Sequence, residues 1–158
     1  PFKKDFDELF TVYNHAIANW TGSGEPPEKY MMTELWCNFQ KANEFNPPHD
    51  HGGALSFVIY LDIPGAIKKE NANFKKIKKQ SAGPGGIVFE CGDADRKNSI
   101  AGHSIFPENG DCYIFPAWLK HWVYPYQSDC TRVSVSGNVV DNIPLTHLEV
   151  KGKNGKVQ

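Results

Sequence analysis

The chain has 158 residues, 40% of them hydrophobic and 22% charged, with a formal net charge of −1. That length suits one domain around one core, and the near-neutral balance carries no electrostatic footprint for nucleic acid or an anionic membrane. No run approaches the ~18 apolar residues that a spanning helix needs. The N-terminus, PFKKDFDELF, has no signal-peptide pattern, so a cytoplasmic protein is expected. The chain begins at Pro1 rather than Met, as a fragment or a trimmed chain would. Its cysteines, Cys37, Cys91, Cys112 and Cys130, are far apart with no CxxC pair, which argues against a zinc knuckle. Free thiols are expected, since a domain of this size needs no disulfide staples.

In chain order, Phe6, Leu9, Phe10, Tyr13, Ala16, Ile17 and Trp20 recur at steps of three and four, which predicts an amphipathic helix over 6–20. The glycine- and proline-rich TGSGEPPE, 21–28, ends it in a loop. The apolar, partly alternating YMMTELWCNFQ, 30–40, reads as extended, and ALSFVIYLDIP, 54–64, as a strand stopped by Pro64. AIKKENANFKKIKKQ, 66–80, with its lysines, reads as a solvated loop or short helix rather than a basic patch for an acidic partner. GGIVFECG, 85–92, is a shorter strand; DCYIFPAWLKHWVYPY, 111–126, is strand, turn and strand; CTRVSVSGNVV, 130–140, is a strictly alternating strand. The closing VKGKNGKVQ reads as solvated and frayed. One helix followed by several short strands, with no repeat and no linker, predicts a single mainly β domain: a sandwich or barrel with helical buttressing.

Two histidines flank an aspartate in NPPHDHGG, 46–53. In an extended segment residues i and i+2 share a face, so His49 and His51 could meet one metal ion while Asp50 points away. Gly52 and Gly53 permit a bulge there, and bulges re-aim side chains at active sites. His121, in the stiff apolar setting of Pro116, Trp118 and Trp122, is the candidate third ligand. Three ligands on one face with open positions opposite is the pattern of mononuclear non-haem iron. His15, in the helix, and His147, in the tail, take structural or surface roles; His103 is open between surface and pocket.

In the last strand Arg132, Ser134, Ser136 and Asn138 share one face, and Val133, Val135 and Val139 the other. An inward polar face needs something to bind, and Arg132 offers a planar fork suited to a carboxylate, with the Ser134 hydroxyl beside it. An outward polar face on an edge strand gives the same alternation.

Together, H-x-H, FPxWLxHxVxPY and RVSVSxN resemble the Fe(II)/2-oxoglutarate-dependent oxygenases, in particular a group found in bacteria and phages. The resemblance runs from about Trp36 to Asn138. It implies a double-stranded β-helix (jelly roll), core about 30–142, and Fe(II), 2-oxoglutarate and O2 as cofactor and cosubstrates. It implies metal binding at His121 and, at the distal carboxylate of 2-oxoglutarate, Arg132 assisted by Ser134 and by Tyr60 in VIYLDIP. The family at large carries H-x-D or H-x-E at the first motif, where this chain has His49-Asp50-His51. That leaves a three-histidine set, His49, His51 and His121, or two histidines and an open position. The implied reaction is C–H hydroxylation with release of succinate and CO2. A cupin-type three-histidine enzyme without 2-oxoglutarate and a non-catalytic jelly-roll binding module are the alternatives. Trp36, Asn38, Gln40, Phe115, Trp118 and Trp122 are pocket candidates, with Asn38 the favoured polar one, and the substrate itself is not legible.

Overall fold

A computed structural model describes residues 2–22, 30–77, 82–90 and 102–141. The loop expected over 23–28, the end of the lysine-rich stretch at 78–80, Cys91, His147 and the closing tail lie outside those residues. The described chain runs α1 (Phe2–Thr21), β1 (Tyr30–Gln40), β2 (Asn46–His49), β3 (Leu55–Asp62), α2 (Gly65–Ile77), β4 (Ile87–Phe89), β5 (His103–Ile105), β6 (Cys112–Pro116), β7 (His121–Val123) and β8 (Arg132–Asp141). By Cα proximity it divides into two compact units, one of residues 1–31 with 140–158 and one of residues 32–139.

In the first unit, α1 extends past both predicted ends, to Phe2 and Thr21. The apolar period organises its face: Phe6 stacks on Phe10 at 6.1 Å, and Phe10 tilts against Tyr30 at 5.5 Å. The Asn14 amide donates to the Tyr30 hydroxyl.

The second unit is mainly strands, with α2 between β3 and β4. Its sheets have the orders β1-β8-β3-β6 and β2-β7-β4-β5, eight strands in the double Greek-key arrangement of a jelly roll. β3 is central and buried on both faces from Leu55 to Val58, which explains its nearly continuous apolar sequence. It pairs antiparallel with β6 (Ser56 opposite Phe115) and with β8 (Tyr60 opposite Ser134). Between the sheets lies a core of Val58, Tyr60, Ile63, Ile67, Ile87, Phe89, Phe115, Val123 and Tyr126.

Two strands were not anticipated. β2 contains two prolines and β5 is only three residues long, so neither carries the alternation by which strands are recognised. The lysine-rich stretch forms a helix, α2. Ile67 and Asn71 are buried on its inner face while Lys69, Lys75 and Lys76 are exposed. The buried Asn71 side chain donates to the carbonyls of Ala82 and, at 2.9 Å, Pro84. This ties α2 to the turn that precedes β4. Cys37, Cys112 and Cys130 are free thiols.

Candidate active site: three histidines and a buried arginine

β2 and β7 pair antiparallel with His49 directly opposite His121. A register irregularity between Asn46 and His49 shifts the end of β2, the kind of feature that redirects side chains near active sites. The chain then runs past the strand end to His51, whose amide donates to the Ala117 carbonyl at 2.9 Å. That bond seats the second histidine beside the β6–β7 turn. One ligand atom from each of His49, His51 and His121 lies within 4.8 Å of the others. The ring centres are 4.3 Å apart for His49–His121, 5.0 Å for His49–His51 and 5.1 Å for His51–His121. Asp50 is exposed and offers no atom to the group.

Backbone carbonyls orient two of the rings. His49 Nδ1 is 2.7 Å from the Pro47 carbonyl and His121 Nδ1 is 3.0 Å from that of Leu119. A carbonyl can only accept, so each Nδ1 carries the proton and Nε2 keeps its lone pair. Such a bond is how a metal-ligating histidine is held in the correct tautomer. Burial pushes the His121 imidazole down to about 4, and burial followed by the neighbouring His49 lowers that of His51. Both rings are therefore neutral at neutral pH, the form that binds a metal.

β8 supplies the second half. Arg132, Ser134, Ser136 and Asn138 are 4%, 2%, 9% and 3% exposed, so the polar face turns inward, and β8, flanked by β1 and β3, is not an edge strand. Val139 is buried too, while Val133 and Val135 are half-buried. One terminal guanidinium nitrogen of Arg132 donates to the Gly85 carbonyl at 2.8 Å, and the guanidinium sits 5.4 Å from the centre of the Tyr60 ring. Its Nε is buried without a partner, and so is the Tyr60 hydroxyl. Among the described residues no carboxylate lies within ion-pair distance of Arg132. Burial, only partly offset by Arg132, raises the Tyr60 phenol to about 12, so it keeps its proton and can donate.

Both halves open on one cavity of about 760 Å³, whose walls include His49, His51, His121, Arg132, Ser134, Tyr60 and Asn38. Asn38 donates to Ser136 Oγ at 3.1 Å. Trp36 packs against His51 at 5.6 Å and, with Gln40 and Phe115, also lines the cavity. Trp118, 70% exposed, and Trp122 do not line it, and His103 is exposed on β5. The strand periodicity at 121–123 explains the outcome for Trp122: it alternates with the inward His121 and Val123.

The model of a protein family described as "Putative 2OG-Fe(II) oxygenase" matches residues 34–138, a span that holds all three histidines and the arginine. The chain belongs to this family. No curated protein matches it. The span that the family model covers runs from β1 through most of β8 and so takes in both sheets.

Two contributors to the site were not read from sequence. Tyr126 is 1% exposed; its hydroxyl accepts the Arg132 amide at 3.1 Å and donates to the carbonyls of Gln40 and, at 3.2 Å, Cys130. Gly85, at φ +74°, presents the carbonyl that holds Arg132. A tyrosine in YPYQ looks like any packing aromatic, and a glycine before a strand looks like any turn. Only the tertiary contacts give them roles.

Proposed function

We propose that this oxygenase binds Fe(II) through His49, His51 and His121, binds 2-oxoglutarate through Arg132, Tyr60 and Ser134, and hydroxylates a C–H bond of an organic substrate. The observation that carries the reading is the buried Arg132 without a counter-ion. A buried guanidinium without an anion is costly, and here it stands beside a second unsatisfied donor, Tyr60, in the cavity of the histidine group. A small dicarboxylate answers all of this. One carboxylate accepts from Arg132 Nε, Tyr60 and Ser134, and the other end reaches the metal.

The metal and the 2-oxo acid supply the oxidising chemistry when bound, with O2 consumed and succinate and CO2 released. The chain's part is positioning. Pro47 and Leu119 hold the tautomers of His49 and His121, Gly85 aims the guanidinium, and Tyr126 anchors the start of β8. Phe57, Val58, Ile87 and Phe115 give the cavity apolar walls, which favour a dry site once ligands fill it. Asn38, fixed on Ser136, is a polar contact for bound ligand beside the clamp.

A cupin-type enzyme without 2-oxoglutarate would share the three histidines, but it leaves Arg132 unexplained. Anaerobically purified protein given Fe(II), ascorbate and 2-oxoglutarate in air is expected to form succinate. The rate should rise with the right substrate and vanish in His121→Ala. No succinate from protein that retains iron would favour the cupin-type alternative.

A further inference from the structure

On β1, Glu34 shares a face with Trp36, Asn38 and Gln40, which line the cavity, because alternate residues of a strand point the same way. The function proposed above gives Glu34 no part. Glu34 is exposed, but its carboxylate is held. Oε2 accepts from Asn138 Nδ2 at 2.6 Å, and Asn138 Oδ1 accepts from Ser56 Oγ at 2.7 Å. Asn138 and Ser56 are both buried, so a fixed polar pair on β8 and β3 clamps the side chain. Gly137, next to Asn138, lets β1 come this close: a Cβ there would lie 2.6 Å from the Glu34 carbonyl oxygen.

The same corner carries His51. Ala54, at the end of the loop that bears His51, donates its amide to the Val139 carbonyl at 2.8 Å, one residue from Asn138. The Trp36 ring, two residues along β1 from Glu34, is 5.6 Å from the His51 ring. Burial and then His49 lower the His51 imidazole; of the carboxylates, Glu34 raises it most, ahead of Asp50. Three neutral imidazoles bring no negative charge to a divalent ion, and a partly buried dication with no anion nearby is poorly stabilised.

We propose that Glu34 serves the metal centre from outside its ligand set: clamped by Asn138 and Ser56 beside His51, it supplies the negative charge that the three histidines lack. It is a positioning residue and not a ligand, since the group of convergent ligand atoms is made of the three histidines. This rests on the metal half of the function proposed above.

The test is equilibrium dialysis of Mn(II) against wild type and Glu34→Gln, followed by calorimetric titration of the Mn(II)-saturated proteins with 2-oxoglutarate. Glutamine can still accept from Asn138, so the variant loses the charge and keeps the bond. Glu34→Gln should bind Mn(II) about three- to tenfold more weakly at about 0.1 M salt, the scale of one partly screened charge. At about 1 M salt, where the screening length falls to ~3 Å, the difference should shrink below about twofold. 2-Oxoglutarate is an anion, so the same variant should bind it as tightly as wild type or tighter. Asp50→Asn removes the same charge from a side chain with no such clamp among the described residues, and should weaken Mn(II) less than Glu34→Gln does.

Unchanged Mn(II) affinity in Glu34→Gln would overturn the proposal. So would a loss that persists at high salt, or a parallel loss of Mn(II) and 2-oxoglutarate affinity, since either marks a distorted site and not a missing charge. Wild type that takes up no Mn(II) would overturn the metal reading and this proposal with it. Wild type that binds Mn(II) but not 2-oxoglutarate would overturn the cosubstrate reading, while the Mn(II) comparison still decides Glu34.

Discussion

At the scale of single residues, His51 is placed by a backbone bond and His49 by a strand pair. His51 lies beyond β2, and the bond from its amide to Ala117 is what brings it to His49 and His121. Asp50 between them stays at the surface. The expected outcome is a sharp contrast between neighbours. His51→Ala should weaken Mn(II) or Fe(II) binding by about tenfold or more, since a metal-site contact of this kind is worth at least that. Asp50→Asn should leave metal affinity within about twofold, as exposed substitutions usually do. Equilibrium dialysis with metal analysis of the two variants measures this directly. Equal losses would mean that Asp50 turns inward when metal binds.

At the scale of elements, the proposed clamp residue Arg132 depends on parts far from it in sequence. α2 holds the turn 82–86 through Asn71, and that turn carries Gly85 to Arg132. Gly85 has φ +74°, and a Cβ added there would lie 2.5 Å from Ile67 Cγ2 on α2. Gly85→Ala therefore meets both backbone strain and a clash in a buried setting, and should cost about 1–3 kcal/mol in a urea melt while lowering 2-oxoglutarate affinity. A variant with normal stability and normal affinity would contradict the coupling.

Glu70, also on α2, anchors the β7–β8 connection. It accepts the amides of Gln127 and Ser128, at 2.9 Å each to the nearer oxygen, and the Ser128 hydroxyl at 2.6 Å. Burial alone would raise its carboxyl, but these hydrogen bonds outweigh it and hold the group below 4.5. Its folded-state pKa is depressed, so its contribution is present above the unfolded value and is lost as pH falls through the folded one. Glu70→Gln should lower stability near pH 7, and the gap between wild type and variant should shrink below about pH 4.5. Paired thermal melts at the two pH values check the sign.

At the scale of the whole molecule, the parts that were legible in the sequence are those whose signal is local. The period of three and four in α1, the β-branched run in β3 and the alternation in β8 are each written within a dozen residues. H-x-H and the arginine of β8 stood out as chemistry for the same reason. β2 and β5 did not, because prolines and shortness erase the pattern and cross-strand pairing alone makes them strands. The direction of the β8 polar face could not be decided locally either. It depends on which side of its sheet carries the cavity shared with the second sheet, a fact about tertiary structure. Tyr126 and Gly85 were invisible because their roles consist of contacts to Gln40, Cys130, Ile67 and Arg132.

The same topology unites the histidines of one sheet with the arginine of the other across a shared cavity. The central claim is that Arg132, buried and without a counter-ion, receives the distal carboxylate of 2-oxoglutarate. Titrating Mn(II)-loaded protein with 2-oxoglutarate and with 2-oxobutyrate, which lacks that carboxylate, tests it most directly. Wild type should prefer 2-oxoglutarate by about tenfold to a hundredfold, the scale of a charge-assisted hydrogen bond worth ~1.5–3 kcal/mol, and Arg132→Ala should abolish the preference. Equal affinity for the two acids in wild type, or an undiminished preference in Arg132→Ala, would contradict the account.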